Sequence, residues 1–473
     1  MLLGVGGVLA LDALGERPTV FHLNEGHAAF ASLARTAALV RRGRSLEEAM
    51  VLVRRSTVFT THTPVAAGHD RYEPRLVVRA LRQVVRDLKM SDEALLALGG
   101  EHGEAKEPFC MTALALRLAE HANGVAALHG RVTREMWMHL YDRRDPAQVP
   151  IGHVTNGVHV ATWTDPTARA FWRDEAGIDF SVPAVDRDPW PDAARVDPGR
   201  LWALRCRWRS RLVLEARRRL AHQAQRQCAD ADEVLRASQF LDESALTIGF
   251  ARRFATYKRA PLLFTDADRL AKIVADADRP VQFVFAGKAH PRDTEGQAFL
   301  RQVHAMTLDP RFRGRVVMLE EYDMGLARLL VSGCDVWLNT PLRPHEASGT
   351  SGMKVAAHGG INLSILDGWW PEGFDGRNGW AIGDGQEPPA EDAEGRRRRD
   401  EEDAKSLYAL LEREVIPEFF DRSTGGVPER WMDRALRSAA TIPGRFGAHR
   451  MVAEYLVKAY LPAHGGPAAA ERA

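Results

Sequence analysis

The amino-acid sequence predicts an α/β protein of two Rossmann-like, doubly wound domains that face a cleft. Short β-rich runs alternate with helical segments, once before residue 165 and again after residue 240, and this alternation is typical of parallel sheets. Polar residues follow several of these runs, where parallel sheets collect functional groups at the carboxyl ends of their strands. A chain of 473 residues also has room for two or three folding units.

The composition argues against several classes of protein. The chain has 64 basic and 63 acidic residues and a net charge of +1, so neither nucleic acid nor an anionic membrane is an expected partner. No apolar stretch approaches the ~20 residues that span a bilayer, and the first residues do not resemble a signal peptide. The four cysteines lie far apart without CxxC spacing. Neither a disulfide framework nor a metal site is indicated, and a cytoplasmic protein is predicted.

The first domain begins with two predicted strands, at residues 19–23 and 57–61, separated by a helix over 28–42. The apolar runs at 124–129 and 151–154 have the length of two further strands. Three polar clusters accompany these strands and are candidate functional loops: residues 22–27, 61–64 and 155–157.

A second series of strands begins near residue 246. Its members are short apolar runs separated by helical segments: residues 247–250, 281–286, 315–319, 335–339 and 361–366. Before this series, residues 165–198 are rich in Pro, Asp and Trp, which suits a crossing between domains. Residues 201–235 predict one long, arginine-rich helix.

The pattern divides the chain into five regions. These are a first Rossmann-like domain at 1–165, an interdomain crossing with long helices at 166–240, a second Rossmann-like domain at 241–435, helices that pack back at 436–461, and a disordered tail at 462–473. Residues 387–403 carry four consecutive arginines flanked by acids, and they predict a solvated insertion rather than a nucleic-acid arm.

The run EASGTSGMK, residues 346–354, follows the predicted strand at 335–339. Its glycines allow a backbone to approach a ligand, and Thr350 and Ser351 add hydroxyl donors near a helix start, which favours an anion. Lys354 could neutralise a phosphate or form a Schiff base with an aldehyde cofactor. A glycine-rich turn, a helix cap and a surface lysine would give the same local pattern.

The run RRFATYKR, residues 252–259, places four cations directly after the predicted strand at 247–250. Basic residues at the start of a helix oppose the helix dipole, so a solvent-facing helix start explains this run less well than a bound anion does. The run therefore predicts a phosphate-binding loop.

Taken together, the motifs resemble those of the α-glucan phosphorylases, which act on glycogen, starch or maltodextrin. The matching runs are HLNEGHAAF (22–30), TTHTPVAAGHD (60–70), HVTNGVHVATW (153–163), RRFATYKR (252–259), FAGKAHP (285–291), EEYD (320–323) and EASGTSGMK (346–354). Their order and spacing agree over most of residues 1–461, and the flank at 361–383 resembles the shorter bacterial and archaeal members. The resemblance implies the glycosyltransferase B type of fold.

The resemblance also implies a cofactor. Lys354 would hold pyridoxal 5′-phosphate as a Schiff base, and Tyr322 would lie beside its ring. Arg252 and the loop residues Thr350, Ser351 and Gly352 would hold the cofactor phosphate.

For the substrates, the resemblance implies that Arg253 and Lys258 grip inorganic phosphate and, with Lys354, form the catalytic set. Residues implied to bind the glucosyl unit or to line the same cleft are Glu25, His27, His62, Asn156, Glu346, Ser348 and Gly349. The implied reaction is phosphorolysis of α-1,4-glucan ends to α-D-glucose 1-phosphate with retention of configuration.

One departure from the family pattern affects this expectation. Family members carry a long segment before the HLNEGH run, with a glycine-rich loop that contacts phosphate, whereas this chain begins about twenty residues before that run. The first domain is therefore expected to be incomplete and the activity of this chain impaired. A homo-oligomer or a complementing N-terminal fragment is a candidate partner.

Two other interpretations stay open. One is a nucleotide-sugar-dependent retaining glycosyltransferase, similar to glycogen synthase, which shares the two-domain architecture and an E-x-x-G loop. The 32-residue spacing between Tyr322 and Lys354 favours a phosphorylase over it. The other is a non-catalytic glucan-binding fragment or partner subunit.

Overall fold

The computed structural model describes residues 1–180, 190–388, 392–422 and 425–464. The chain folds into two compact units: unit 1 comprises residues 1–155 with the segment from 451 onward, and unit 2 comprises 156–450. From residue 465 the predicted disordered tail lies outside the described residues, whereas 462–464 belong to the last helix. No helix in the described part of the chain has the length and apolar character needed to cross a membrane.

Unit 1 contains a four-stranded parallel sheet and a small antiparallel pair. Its strands are β1 (Phe21–Asn24), β2 (Thr57–Thr60), β3 (Arg71–Tyr72), β4 (Phe109–Cys110), β5 (His121–Gly124) and β6 (Ile151–His153). The parallel strands lie in the order β1-β2-β5-β6, and β3 pairs with β4. In the register, Leu23 lies beside Phe59, which lies beside Ala122. The loops that follow β1 and β2 therefore leave the sheet side by side.

Helices surround this sheet. They are α1 (Gly7–Ala13), α2 (Phe30–Arg41), α3 (Leu46–Arg55), α4 (Pro74–Leu88), α5 (Asp92–Gly99), α6 (Met111–Arg117) and α7 (Ala127–Trp137), with 3₁₀ turns at Gly26–Ala28, Ala66–Gly68, Met138–Tyr141 and Pro146–Gln148 and a π-turn at Leu2–Gly6. Helix α4 shows how the sequence specifies them: Pro74 starts it, and Val77, Leu81, Val84 and Leu88 recur at helical spacing and are buried.

The predicted strand at 124–129 is wrong. The strand is β5, which ends at Gly124, and the apolar residues after Ala126 begin helix α7. A Cβ on Gly124 would lie 2.9 Å from the backbone nitrogen of Gly130, so the strand ends where the following helix packs closely against it. Short apolar runs fit a strand or a buried helix equally well, which explains the error.

Unit 2 contains a six-stranded parallel sheet. Its strands are β7 (Leu246–Ala251), β8 (Val281–Ala286), β9 (Val316–Leu319), β10 (Val336–Asn339), β11 (Ile361–Ile365) and β12 (Gly379–Ile382). They lie in the order β12-β11-β10-β7-β8-β9, which is the doubly wound order of a Rossmann sheet. The predicted α/β class with parallel sheets is confirmed, and five of the six strands were predicted within about a residue.

The helices of unit 2 lie on both faces of this sheet. They are α8 (Val160–Trp163), α9 (Pro166–Ala176), α10 (Pro198–Arg226), α11 (Ala231–Ala237), α12 (Ala267–Ala275), α13 (Thr294–Leu308), α14 (Met324–Gly333), α15 (Ser351–Val355), α16 (Trp370–Gly373), α17 (Ala393–Leu410), α18 (Ile416–Phe420) and α19 (Glu429–Thr441), with 3₁₀ turns at Trp190–Arg195, Thr256–Lys258, Ala260–Phe264 and Ala356–His358 and a π-turn at Leu411–Val415. Phe283 and Phe285 of β8 pack into one core, while Val284 and Ala286 pack into the other. This alternation shows that both faces of β8 are buried.

The last helical segment returns to unit 1. It comprises α20 (Ala448–Tyr455), a π-turn at Leu456–Tyr460 and α21 (Leu461–His464). Ala459 and Ala463 pack against Val58 of β2. The Tyr460 hydroxyl lies 2.7 Å from His22 Nδ1, and burial lowers the pKa of His22 to about 4. His22 is therefore a half-buried structural histidine of the HLNEGH run.

The single helix predicted over 201–235 is two helices, α10 and α11. Cys228 takes a left-handed backbone conformation with φ 56°, which ends α10. Asp230 then caps α11 by accepting a hydrogen bond from the backbone N–H of Glu233 at 2.7 Å. Residues 201–235 are polar and arginine-rich throughout. Because the composition does not change between α10 and α11, the sequence pattern does not reveal the break.

The solvated insertion predicted at 387–403 is wrong in its second part. Residues 389–391 lie outside the described residues, but helix α17 begins at Ala393. Arg397 and Arg398 face solvent, whereas Arg399 and Asp403 are buried. Asp403 accepts a hydrogen bond from Arg259 at 2.8 Å. One face of α17 is therefore an ion-paired part of the core.

A buried carboxylate holds the centre of unit 2 together. Asp335, directly before β10, lies 2.9 Å from Arg209 Nη1 and 3.2 Å from Arg205 Nη2, and both arginines belong to α10. Asp335 also accepts the backbone N–H of Thr247 on β7 at 3.0 Å. This group ties two strands and a helix with side chains that are at most 3% exposed.

We expect Asp335→Ala to destabilise the protein by about 3–5 kcal/mol, because it leaves two buried guanidinium groups without their anion. Urea unfolding followed by circular dichroism measures this. Glu401→Ala is the matched control, since Glu401 pairs with Arg397 at the surface of α17 and should change the free energy of unfolding by under about 1 kcal/mol. Equal losses in the two variants would contradict the role of Asp335.

Candidate functional site

The carboxyl ends of β7 and β10 meet at the switch point of the unit 2 sheet. These strands are neighbours, but the chain continues from β7 to β8 on one side and from β10 to β11 on the other. The loops that leave them diverge, and open α/β sheets bind ligands in the crevice this creates. Residues 252–259 follow β7 and residues 340–354 follow β10. Both candidate loops of the sequence therefore lie at the switch point.

A buried carboxylate joins these two loops. Glu346 Oε2 accepts hydrogen bonds from Arg252 Nη2 at 2.5 Å and from Lys258 Nζ at 2.9 Å. The three side chains are 8–10% exposed. Arg252 and Lys258 therefore meet one anion in a place largely removed from water, and the group has an excess positive charge when Lys258 is protonated.

Burial and the neighbouring Arg252 lower the pKa of Lys258, although Glu346 opposes that shift. Burial favours the neutral form of Glu346, but Arg252 and Lys258 outweigh it and hold the pKa of that carboxyl below its usual range. Glu346 is therefore ionised near neutral pH. A further anion would relieve the repulsion between the two cations.

Buried polar atoms with no partner also lie at this point. Arg252 Nε and Nη1 and Ser348 Oγ form no hydrogen bond within the described residues. Leaving buried donors unpaired costs free energy, so such groups usually face a bound ligand or water. Together with the excess positive charge, they indicate an anion as the ligand.

Lys354 lies on α15, and its amine contacts an aromatic ring. Lys354 Nζ is 3.5 Å from the ring centroid of Trp163. Among the described residues no carboxylate pairs with this amine, and burial lowers its pKa to about 8. An ordinary lysine, with a pKa near 10.4, is almost wholly charged at pH 8. Lys354 is thus a half-buried amine with a lowered pKa and no carboxylate partner among the described residues.

The loop before Lys354 needs its glycines. Gly349 has φ 76°, a conformation that side chains disfavour, and a Cβ on Gly352 would lie 2.2 Å from Asn362 Oδ1. Ser351 Oγ accepts a hydrogen bond from Trp337 Nε1 at 3.1 Å. Thr350 precedes α15 without forming a side-chain cap. The backbone of this loop is therefore held close to β10 and β11.

Sequence reasoning missed Asp367, a buried acid that supports Glu346. Asp367 Oδ2 accepts the backbone N–H of Glu346 at 2.9 Å, and Oδ1 accepts that of Gly368 at 2.7 Å. Burial raises the pKa of Asp367 to about 7, and the charge of Glu346 adds to the shift. The sequence feature that could have identified Asp367 is its position directly after the predicted strand at 361–366.

The remaining predicted residues of unit 2 are less buried than Arg252, Lys258 and Glu346. Arg253 is exposed and hydrogen-bonds to the side chain of Tyr257, a residue that the sequence did not single out. Tyr322 is partly buried; burial raises its pKa and the neighbouring Arg252 opposes the rise. Asn156 is half-buried, and its backbone carbonyl accepts a hydrogen bond from Arg450 at 3.2 Å.

Arg259 is a correction to the predicted cluster of four cations. Its guanidinium donates to the backbone carbonyls of Thr340 and Pro341 at 2.9 and 2.7 Å and to Asp400 and Asp403 at 2.7 and 2.8 Å. All of these acceptors are protein groups on the far side of the loop. Three cations, not four, are therefore available to a ligand at the switch point.

Unit 1 carries the other predicted residues. Glu25 directly follows β1 with a strained φ of 66°, and its carboxylate accepts hydrogen bonds from the Thr63 hydroxyl at 2.9 Å and from the His62 backbone N–H. His62 Nε2 lies 2.6 Å from Asn24 Oδ1. The ends of β1 and β2 are thus linked through Glu25 and His62. His27 is exposed, 3.3 Å from Asp70.

We expect the Lys354 amine to react with acetic anhydride at a rate that is half-maximal near pH 8 and levels off above about pH 9, because only the neutral amine reacts. Peptide mass spectrometry between pH 6 and 10 measures the rate, with the exposed Lys272 as a control for reagent stability. A Lys354 rate that still climbs steeply between pH 9 and 10 would contradict the lowered pKa.

Comparison with known proteins gives one family. The family model for carbohydrate phosphorylases matches residues 10–370 of the chain. The chain is 44% identical over 477 residues to the glycogen phosphorylase of Mycobacterium tuberculosis, with 98% of this chain and 54% of that protein covered.

Two similar proteins from other organisms are also named phosphorylases. A maltodextrin phosphorylase of Thermococcus litoralis is 42% identical, with 97% of this chain and 53% of that protein covered. A glycogen phosphorylase of Aquifex aeolicus is 38% identical, with 97% and 65% covered. The chain thus spans about half to two thirds of the length of these relatives.

Proposed function

The chain belongs to the carbohydrate phosphorylase family, and on that premise we propose that it acts as an α-1,4-glucan phosphorylase. It would cleave the ends of glycogen or maltodextrin with inorganic phosphate and release α-D-glucose 1-phosphate with retention. The observation that carries this proposal is the group of Arg252, Lys258 and Glu346 at the switch point, which has spare charge and unpaired donors for an oxyanion.

Pyridoxal 5′-phosphate is the proposed cofactor, and the residues present fit it. Lys354 offers an amine with a lowered pKa and no carboxylate partner among the described residues, which suits covalent attachment of an aldehyde. The unpaired donors of Arg252 and the hydroxyl-bearing loop at Thr350 and Ser351 suit its phosphate. When bound, the cofactor would supply a phosphate group that exchanges protons with the substrate phosphate.

The cations of this site would bind and orient inorganic phosphate. Lys258 is held by Glu346, whereas Arg253 is exposed, so an anion could reach its guanidinium from solvent. In the reaction, a phosphate proton passes to the glycosidic oxygen as the C1–O4 bond breaks, and a phosphate oxygen then bonds to C1 on the same face. Clustered cations stabilise the negative charge that develops on phosphate.

Glu346 would have two successive roles. Without phosphate it neutralises Arg252 and Lys258. An incoming phosphate would take over part of that role, so the Glu346 carboxylate could accept a hydrogen bond from a glucosyl hydroxyl. Asp367 would hold the Glu346 backbone in place during this exchange, because it binds the N–H of that residue.

Glu25, His62 and Asn24 of unit 1 are proposed to act on the glucan rather than on phosphate. These residues present a carboxylate, an imidazole and an amide linked by hydrogen bonds, which are the groups that recognise sugar hydroxyls. Burial lowers the pKa of His62, although the charge of Glu25 opposes the shift. His62 would therefore bind as the neutral imidazole near neutral pH.

The main test is phosphate-dependent release of glucose 1-phosphate from maltoheptaose after loading with pyridoxal phosphate. We expect Lys354→Ala to abolish both turnover and the borohydride-reducible near-ultraviolet absorbance of the loaded protein. Lys272→Ala, on the exposed face of α12, is the matched control and should retain both. Firm cofactor binding by Lys354→Ala after dialysis would contradict the assignment. Transfer of glucose from a nucleotide sugar to maltoheptaose, with no phosphate-dependent release of glucose 1-phosphate, would favour the glycosyltransferase alternative.

A second test separates phosphate from glucan binding. We expect Lys258→Ala to raise the Michaelis constant for phosphate by about ten- to hundredfold, because one charge-assisted contact contributes roughly 1.5–3 kcal/mol. The Michaelis constant for maltoheptaose should change little, and the cofactor should stay bound. An unchanged phosphate response in Lys258→Ala would overturn this placement.

A further inference from the structure

Helix α4 of unit 1 presents a row of arginines to solvent. Arg75, Arg79, Arg82 and Arg86 are exposed, whereas the opposite face of the helix is buried in the core of unit 1. At 3.6 residues per turn, spacings of four, three and four residues keep these positions within about 60° of one another around the helix axis. The four residues, called the arginine row below, therefore form a straight line about 16 Å long.

The arginine row has no counter-charge in the part of the chain that the structure describes. None of its four side chains forms an ion pair or a hydrogen bond with a described residue. Helix α4 contains one acid, Asp87, and its carboxylate lies 2.6 Å from Arg41 on α2. Four positive charges therefore stand in line without a group that neutralises them.

This arrangement is unfavourable for the helix itself. Arg75 and Arg79 are four residues apart, as are Arg82 and Arg86, and like charges at this spacing destabilise a helix. Arg75 also lies in the first turn of α4, where a positive charge opposes the helix dipole. An anion bound along the row would remove both effects.

A second exposed group of arginines in the same chain shows a different arrangement. Arg397 and Arg398 of α17 lie 3.4 Å from Glu401 and 3.3 Å from Glu402, each pair four residues apart. These arginines are neutralised within their own helix, as expected for a face that only meets water. The arginine row of α4 lacks such pairing, so solvent exposure alone does not account for it.

We propose that the arginine row is a docking surface for an acidic helix of another protein, with a carboxylate at every third or fourth residue. Side chains at this spacing on a helix are about 5–6 Å apart, which matches the spacing along the row. Guanidinium groups also pair with carboxylates in a bidentate manner. The proposal does not depend on phosphorolysis, because no member of the row belongs to the residues assigned to that reaction.

The surroundings of the row favour a protein segment over a nucleic acid. Helix α4 has no aromatic side chain on which a base could stack. The net charge of the whole chain is only +1, which gives little long-range attraction for a polyanion. Leu76, which is 43% exposed, lies beside the row. An amphipathic acidic helix can cover this leucine with an apolar side chain, whereas a phosphate backbone cannot.

Fluorescence anisotropy with two labelled peptides tests the proposal at low ionic strength. One peptide carries four glutamates spaced four, three and four residues apart on an alanine and glutamine background. The other has the same composition, with its glutamates on different faces of the helix. We expect the first peptide to bind at least about fivefold more tightly than the second, and added salt to weaken its binding.

A pair of matched variants locates this binding. Arg79→Gln/Arg82→Gln should bind the first peptide at least about fivefold more weakly than the wild type, because two guanidinium contacts are lost. Arg397→Gln/Arg398→Gln removes the same charge from α17 and should bind within twofold of the wild type. Since Arg79→Gln/Arg82→Gln relieves repulsion on α4, its thermal unfolding midpoint should not fall, which separates lost binding from lost folding.

Three results would overturn the proposal. They are equal affinity for the two peptides, an equal loss of affinity in the α4 and α17 variants, and tighter binding of a single-stranded oligothymidylate than of the first peptide. The last result would assign the arginine row to a nucleic acid instead.

Discussion

The architecture of unit 2 depends on the buried carboxylate of Asp335. It receives Arg205 and Arg209 from α10 and the backbone N–H of Thr247 from β7. Because Asp335 stands at the start of β10, this ion group fixes β7 beside β10 and holds a long helix across them. These are the two strands whose carboxyl ends carry the cations and the glycine-rich loop. An interaction at the amino ends of β7 and β10 therefore sets the spacing of the candidate loops at their carboxyl ends.

At the carboxyl ends of the strands, the surroundings shift the pKa values of two neighbouring acids in opposite directions. Two cations keep Glu346 ionised, whereas burial and the charge of Glu346 raise the pKa of Asp367 to about 7. Pairs of acids whose pKa values are pushed apart are typical of sites that handle protons. Here the separation lets one acid carry charge while the other changes its protonation near neutral pH.

Much of unit 2 could be predicted because its strands are short apolar runs that are buried on both faces. The cation loop after β7 and the glycine-rich loop with Lys354 after β10 are visible in the sequence for the same reason. The partners of single side chains were not predictable. Arg259 has the same local setting as Lys258, and only the folding of α17, distant in sequence, turns it toward Asp403.

Other differences have similar causes. Asp367 was missed because one acid after a strand has no pattern until its two backbone donors are known. The break between α10 and α11 depends on one left-handed residue, Cys228, in a segment of uniform polarity. The strand β5 has the sequence HANG, which has little β propensity and forms a strand because β2 and β6 pair with it.

The position of Arg259 has a consequence for the energetics of ligand capture. The loop after β7 is tied down at both ends: Arg252 is bonded through its backbone to Ala286 at 3.2 Å, and the Arg259 guanidinium is held by Thr340 and Asp403. Fixing a residue costs roughly 1–2 kcal/mol of conformational entropy, and for this loop that cost is met when the chain folds. An arriving anion therefore meets an already ordered loop, and little of its binding free energy is lost to immobilising the chain.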